Sequence, residues 1–168
     1  MRKKILLCLV LAIAVLSVSC VSSYTSDAPE ELMTYAYVVE APNKSAAALF
    51  VDANSWFVDM FKSADSVIQY SDKEAGMVKG KYTHEVMDGI YYVMITSTIT
   101  VEVKDERCRI SFDSPYYKIT GDALNGRYGG GASGPVESTK MLTEKVRPMW
   151  ETLSKGFETA VFAGRQEW

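Results

Sequence analysis

The chain has 168 residues, 48% of them hydrophobic and 23% charged, and its formal net charge is −3 at pH 7. This length is enough for one hydrophobic core and one domain. The acidic balance argues against a nucleic-acid-binding protein, because neutralising phosphates requires clustered lysine and arginine. After residue 20 the chain has one histidine and one cysteine, which argues against a zinc site, since zinc needs three or four His, Cys or carboxylate ligands.

The first twenty residues have the pattern of a secretion signal. Residues 2–4 are basic, residues 5–16 are apolar, and residues 17–19 are small and mostly polar. An apolar helix of this length spans roughly 18 Å, well short of the ~30 Å hydrocarbon core of a membrane. We therefore predict a signal peptide over residues 1–19 rather than a transmembrane helix.

The cysteine that follows this signal resembles the modified residue of a bacterial lipobox. In that motif the cysteine is diacylated and becomes the first residue of the mature protein. Ser17 stands where the motif usually has leucine, and Leu16 lies one position earlier. The alternative is ordinary signal-peptidase cleavage after Ser19, which satisfies the small-x-small rule. The lipobox resemblance implies a lipid anchor on Cys20, and residues 20–31 then form the lipidated start and a polar tether.

Export changes both the charge and the cysteine count of the chain. Loss of residues 1–19 removes three basic residues and no acidic one, which leaves 15 basic and 21 acidic residues and a net charge of −6. It also removes Cys8, and lipidation occupies Cys20, so Cys108 has no partner for an intradomain disulfide. The expected location is the bacterial cell envelope, on the periplasmic side of the inner or outer membrane or on the cell surface.

The mature chain begins with a predicted strand and helix. Residues 32–39 are rich in tyrosine and valine and end before Pro42, which indicates a strand. A helix follows over about residues 45–62, with Asn43 or Ser45 as its N-cap. Its apolar side chains recur with helical spacing and form one stripe: Leu49, Phe50, Ala53, Trp56, Phe57, Met60 and Phe61.

From residue 66 the apolar residues alternate, which predicts strands. We expect them over residues 67–71, 77–86, 90–103 and 107–112, with residues 116–119 extending the sheet. Two-residue turns at Asp88-Gly89 and Asp105-Glu106 join the long strands as hairpins. These turns put the odd-numbered residues of 90–103 on one apolar face and predict the pairs Tyr82–Ile95, His84–Val93, Lys81–Thr96, Thr83–Met94, Val101–Ile110 and Glu102–Arg109.

The C-terminal third adds a loop and a second helix. Six of the chain's eleven glycines lie in residues 121–134, which predicts a flexible loop. Residues 136–162 are predicted to form a helix with a kink at Pro148. Its apolar stripe consists of Leu142, Val146, Met149, Leu153, Phe157 and Val161. The order β-α-β-β-β-β-α predicts a two-layer α+β domain over residues 32–163, with an antiparallel meander sheet and both helices on its apolar face.

Several local motifs resemble a known family, the domain of unknown function with a TBP-like fold. The matching segments are Trp56-Phe57, Ser66-Val67-Ile68, Asp72-Lys73-Glu74-Ala75-Gly76, Val78-Lys79-Gly80-Lys81 and Val103-Lys104-Asp105-Glu106-Arg107-Cys108-Arg109-Ile110. The family is found in exported proteins and lipoproteins, chiefly of Bacteroidetes, and the resemblance covers about residues 32–120. It implies the fold and an envelope location. It carries no catalytic residue, and the likeness to TBP is one of fold, which does not imply DNA binding.

No residue pattern predicts catalysis, a metal or a cofactor. His84 is expected on the inner sheet face as a packing residue, with no nucleophile beside it. Cys108 is expected to point inward beside Ile110, where burial makes a thiol inert. Asp72-Lys73-Glu74 lacks the later glycine and glutamate of an EF-hand, so a hairpin turn explains it.

The outer face of the sheet is the surface that we single out for binding. It is expected to expose Lys79, Lys81, Tyr92, Met94, Thr96 and Arg109, two of which supply apolar area. The alternative is an ordinary solvated sheet, in which threonines and paired charges are common. We expect a non-enzymatic binding or assembly module with an envelope protein partner. The second hypothesis is a hydrolase with a carboxylate-based site near the glycine-rich loop.

Overall fold

The computed structural model describes residues 28–61, 68–124 and 131–163. The predicted signal peptide and Cys20 lie outside the described residues, as do residues 20–27 of the tether and 125–130 of the glycine-rich loop. The described segments form one antiparallel sheet with its helices on one face, the two-layer α+β architecture that the sequence predicts.

The first strand and helix form where the sequence predicts them, with shifted starts. β1 spans Tyr35–Glu40, and Leu32, the predicted first residue of the strand, ends a 3₁₀ turn over Glu30–Leu32. α1 spans Ala46–Met60, and the Ser45 hydroxyl accepts a hydrogen bond at 3.3 Å from the backbone amide three residues on. Ser45 is therefore the N-cap. Asn43 lies in the preceding turn with a positive φ of 68°.

The remaining strands extend the sheet in chain order. They are β2 (Ile68–Asp72), β3 (Met77–Asp88), β4 (Tyr91–Lys104), β5 (Arg107–Asp122) and β6 (Ser133–Pro135). Five strands follow the order β1-β5-β4-β3-β2, and β6 pairs with β5. Strands β2 to β5 are thus the predicted meander, and β1 adds to its far edge.

The β4–β5 hairpin has the predicted register around its turn. Val101 pairs with Ile110, and Glu102 pairs with Arg109. The Arg109 Nε donates to the Glu102 carboxylate at 2.8 Å. The cross-strand charge pair expected from the sequence is therefore confirmed.

The register of the β3–β4 hairpin differs from the predicted register by two residues. Its turn is Gly89-Ile90 rather than Asp88-Gly89, and only the glycine has a positive φ, of 59°. Glycine at the first turn position fits a type II′ hairpin, whereas the predicted turn placed it second. His84 consequently pairs with Ile95 instead of Val93, and Thr83 pairs with Thr96 instead of Met94. A shift of two residues preserves the faces, so the predicted apolar face of β4 is correct.

β5 joins the predicted strand over residues 107–112 and its predicted extension over 116–119 into one strand with a bulge between them. Its register with β4 shifts between the partners of Thr96 and Thr98, and Ser114 has a positive φ of 50°. The extra residue changes which positions face inward. Phe112 is buried before the bulge, and Pro115 is buried after it.

The predicted loop over residues 121–134 begins and ends in strand. Gly121 and Asp122 end β5, and Ser133 and Gly134 belong to β6. β1 pairs with the first half of β5, and β6 pairs with the second half through residues 116–118. Strand pairing, which composition does not reveal, places these end residues in the sheet.

The C-terminal helix begins later than predicted and contains a π turn. α2 spans Thr139–Met141, a π segment spans Leu142–Val146, and α3 spans Arg147–Ala163, without interruption. The π segment ends just before Pro148, the residue at which a kink was predicted. A proline cannot donate a backbone hydrogen bond and crowds the carbonyl four residues earlier, so the wider turn relieves that contact.

Both long helices bury aromatic residues against the inner face of the sheet. The rings of Trp56 on α1 and Phe157 on α3 meet edge-on with centroids 5.3 Å apart. Two assignments to the apolar stripes need correction. Met60 is 45% exposed, and Trp150, absent from the predicted stripe, is fully buried. The Trp150 Nε1 donates to the Ser97 hydroxyl at 3.0 Å inside the core.

Candidate functional site

The outer face of the sheet carries all of the residues predicted for binding. In the described part of the chain both long helices pack on the opposite, inner face. Inner residues of β4 such as Ile95 and Val101 are fully buried. The outer face presents Lys79 and Lys81 from β3, Tyr92, Met94 and Thr96 from β4, and Arg109 from β5.

These six residues do not form one compact cluster. Arg109 pairs with Glu102, which lies eight residues beyond Met94 on β4, or roughly 26 Å along the strand. The Arg109–Glu102 ion pair is solvent-exposed and contributes about 0–1 kcal/mol. Thr96 contacts Thr83, with 2.8 Å between the two hydroxyl oxygens. The exposed ion pair at the Arg109 end and the threonine pair between the two ends are both typical of an ordinary solvated sheet.

Exposed apolar side chains gather at the Met94 end of the outer face. Met87 is 47% exposed, Met94 is 38% exposed and Tyr116 is 46% exposed. Met87 pairs with the half-buried Tyr92, and Tyr116 pairs with Thr96, the next outward residue after Met94. We call Met87, Tyr92, Met94 and Tyr116 the apolar patch.

Charges of both signs border the apolar patch. Met94 lies between Glu85 on β3 and Lys118 on β5. An apolar centre with a polar rim is typical of a protein–protein contact surface. Met87 and Tyr116 do not appear among the predicted binding residues. The predicted strand ended at residue 86, and the sequence did not assign pairing partners to the extension over residues 116–119.

A cleft of about 350 Å³ lies on the inner face, beside the β3–β4 turn. Two carboxylates line it, Asp88 at the end of β3 and Glu137 just before α2. The cleft has the size of a small-molecule site, at the lower end of the usual range. Most of its remaining lining is apolar or aromatic: Tyr91, Val93, Tyr117, Ile119, Val136 and Met141.

Strand pairing brings the two carboxylates of the cleft to one place. Asp88 belongs to β3 and not to the turn, so it shares the inward parity of His84 and Val86. Glu137 follows β6, and the Val136 amide next to it donates to the Pro115 carbonyl at 2.8 Å. This juxtaposition had no signal in the sequence, since the two residues lie on segments far apart in the chain.

A glycine allows the segment before β6 to approach the sheet closely. The Ile119 amide donates to the Ala132 carbonyl at 2.9 Å. A Cβ on Gly131 would lie 2.5 Å from the Ile119 Cβ, a distance that no side chain tolerates. Glycine is therefore required for this wall of the cleft to form as it does.

His84 and Cys108 occupy the packing positions predicted for them. The His84 ring stacks on Tyr82 with centroids 5.6 Å apart, and burial lowers the pKa of its imidazole. The Cys108 Sγ lies 3.9 Å from the Val39 carbonyl oxygen, and burial raises the pKa of the thiol to about 12. Neither residue lines the cleft.

The described residues contain neither a metal-binding cluster nor a membrane-spanning helix. Within 28–61, 68–124 and 131–163, no group of three or more His, Cys, Asp or Glu side chains is placed to hold a metal ion. Over the same ranges, no helix has the length and apolar character needed to span a membrane.

The sequence also matches a family of known fold. Residues 35–118 match the family described as a domain of unknown function (DUF4468) with TBP-like fold. The chain belongs to this family. A DUF4468 family protein from Bacteroides ovatus ATCC 8483 has a similar crystal structure, with a TM-score of 0.58 and 14% identity over 80% of this chain and 89% of that one. A TBP-like protein from Parabacteroides distasonis ATCC 8503 gives a TM-score of 0.60 and 16% identity over 76% of this chain and 91% of that one. No curated protein matches the chain.

Membership in this family confirms the resemblance seen in the sequence and the α+β, TBP-like fold. At 14% and 16% identity, the similarity to the two solved structures shows the fold alone. The family match spans the whole apolar patch and ends at residue 118. Glu137 and the wall of the cleft that contains it lie beyond that match.

Proposed function

We propose that this protein is a membrane-anchored envelope lipoprotein whose domain is a non-enzymatic binding or assembly module. It presents the apolar patch of its outer sheet face to another envelope protein. The observation that carries the proposal is the clustering of Met87, Met94 and Tyr116, three exposed apolar side chains on a sheet face that none of the described helices covers. The net charge of −6 expected for the mature chain argues against a nucleic acid as the partner.

The side chains of the patch suit a protein contact. Methionine and tyrosine are enriched in the cores of interfaces, and methionine adapts its shape to the partner surface. Central anchors of this kind cost about 2 kcal/mol or more when truncated, which weakens binding roughly 30-fold. Lys118 and Glu85 at the border of the patch supply charges that orient a partner.

Crosslinking in cells of the native host, followed by mass spectrometry, tests the patch. We expect the triple variant Met87→Thr, Met94→Thr and Tyr116→Thr to lose the partner that the wild-type protein captures. Threonine keeps a high strand propensity while it removes the apolar area. Capture of every wild-type partner by this variant would refute the role of the patch.

A second triple variant controls for a general loss of apolar surface. Val38→Thr, Val51→Thr and Val58→Thr remove exposed valines from β1 and α1, away from the patch. We expect this variant to retain the partner. Equal loss from both triple variants would show that the effect is not specific to the outer face beside Met94.

The lipid anchor requires its own measurement. Mass analysis of the mature N-terminus is expected to find an acylated Cys20, and Cys20→Ala is expected to release the domain from the membrane fraction. An unmodified cysteine at the mature N-terminus would refute the anchor and leave export intact. Full-length, unacylated protein with Met1 in the cytosol would refute export itself.

A carboxylate-based hydrolase is the second candidate function, and the cleft supplies the observation that favours it. Asp88 and Glu137 line the same space beside the glycine-rich segment, and glycoside hydrolases use such pairs. Turnover of a chromogenic glycoside that disappears in both Asp88→Asn and Glu137→Gln, but persists in Glu85→Gln, would support it. Absence of turnover across a broad panel of glycosides and esters counts against it.

A further inference from the structure

The cleft has a chemical character that binding at the outer sheet face does not use. Among the described residues that line it, the two with formal charge, Asp88 and Glu137, are both acidic. Lysine, arginine and histidine are absent from that lining. The space is therefore apolar over most of its surface and negative at two points.

Neither carboxylate forms an ion pair with another residue in the described part of the chain. The ion pairs there join Lys44 to Asp52 and Arg109 to Glu102. Asp88 and Glu137 are both half-buried, so each has given up part of its water without an ion pair in return. A cation in the cleft would supply that missing interaction, in surroundings where screening by water is reduced.

Aromatic rings add to the attraction for a cation. Tyr91 on β4 and Tyr117 on β5 both line the cleft. The face of a tyrosine ring attracts an ammonium group within about 6 Å of its centre. The apolar floor between these strands, formed by Val93 and Ile119, suits a hydrocarbon portion of the same ligand.

We propose that this cleft binds a small organic cation. Its ammonium group lies between Asp88 and Glu137, and its apolar portion packs on Val93, Ile119 and Val136. A volume of about 350 Å³ accommodates one aromatic ring or a short alkyl chain together with the charged group. This inference is independent of the partner at the apolar patch, and it requires no turnover of the ligand.

Two probes of nearly equal shape separate charge from hydrophobic binding. Phenethylammonium chloride and the neutral phenethyl alcohol are titrated separately into the purified full-length protein, and binding is measured by ligand-observed NMR. We expect the ammonium probe to bind about tenfold more tightly than the alcohol. Equal binding of the two probes, or binding of neither, would overturn the proposal without any variant being needed.

Isosteric variants test whether the two cleft carboxylates cause the preference for the ammonium probe. In Asp88→Asn combined with Glu137→Gln, affinity for the ammonium probe is expected to fall about tenfold, while affinity for the alcohol stays within about twofold. Glu85→Gln is the matched control, because it removes one negative charge from the same strand on the outer face. Loss of the ammonium preference in Glu85→Gln, or its survival in the double variant, would show that the cleft carboxylates are not responsible.

Discussion

Replacing Ser97 by alanine tests the polar contact at the centre of the core. Ser97 lies on the inner face of β4, fully buried, and its hydroxyl accepts a hydrogen bond at 3.0 Å from Nε1 of the fully buried Trp150. Without the hydroxyl, the indole N–H is buried without this acceptor. An unpartnered buried donor costs about 1–3 kcal/mol, more than the net contribution of an average hydrogen bond.

We expect Ser97→Ala to lower the free energy of unfolding by about 2 kcal/mol and Tm by roughly 5–10 °C for a domain of this size. Urea unfolding followed by far-UV circular dichroism measures the change. Ser111→Ala is the control, because the Ser111 hydroxyl lies on the outer face and donates to the Thr100 carbonyl at 3.3 Å. Its cost is expected to be within about 0.5 kcal/mol.

A double-mutant cycle separates the hydrogen bond from the loss of packing. Trp150→Phe removes the donor and keeps an aromatic ring beside Phe112, whose ring stacks on Trp150 at 5.7 Å. In that background Ser97→Ala is expected to be neutral or stabilising, since the serine hydroxyl then has no partner. If Ser97→Ala costs the same in both backgrounds, the indole N–H is not the reason for a serine at this position.

Three further predictions follow from buried or crowded groups. Gly131→Ala is expected to lower the free energy of unfolding by about 1–3 kcal/mol, because its Cβ would lie 2.5 Å from the Ile119 Cβ and 2.6 Å from the Ile119 carbonyl oxygen. An unchanged Tm in thermal unfolding would show that this segment shifts without cost. Burial lowers the pKa of His84 below its usual 6.5, so the unfolded chain binds a proton more readily than the folded one. The stability that neutral His84 contributes is therefore present above about pH 6.5 and is lost as the pH falls. The unfolding free energy of the wild type minus that of His84→Gln should therefore fall between about pH 7.5 and pH 5.5. A value that stays constant over this range would contradict the reasoning. Burial raises the pKa of Cys108 to about 12, so iodoacetamide should modify Cys108 only after unfolding, as peptide mass spectrometry would show. Modification of Cys108 in the folded protein would contradict that reasoning.

The sequence by itself determined the elements whose signals are local. Alternation fixed the buried face of β4, because neighbouring side chains on a strand point to opposite sides of the sheet. The helical spacing after residue 45 placed α1 and most of its buried side, and it left Asn43 and Ser45 as alternative N-caps. The charge pair Glu102–Arg109 followed from the length of one turn. In each case the deciding interaction lies within a few residues or across a single hairpin.

The register of one hairpin, a bulge and one strand pairing could not be predicted from local sequence. The observed β3–β4 register differs from the predicted one by two residues because Gly89 fits either position of a two-residue turn. Packing against the neighbouring strands determines which position it occupies. The bulge at Ser114 and the pairing of β6 with β5 have no composition signal, since both depend on which strand lies alongside. A glycine-rich stretch therefore looked like a loop although part of it is sheet.

Only the tertiary structure decided the two candidate surfaces. Met87 and Tyr116 become neighbours of Met94 through the combined registers of three strands. Asp88 and Glu137 face one cleft because β6 carries the start of α2 back over the inner face. Periodicity reports the face on which a side chain lies. What else reaches that face depends on segments distant in the chain, whose approach is set by packing of the whole domain.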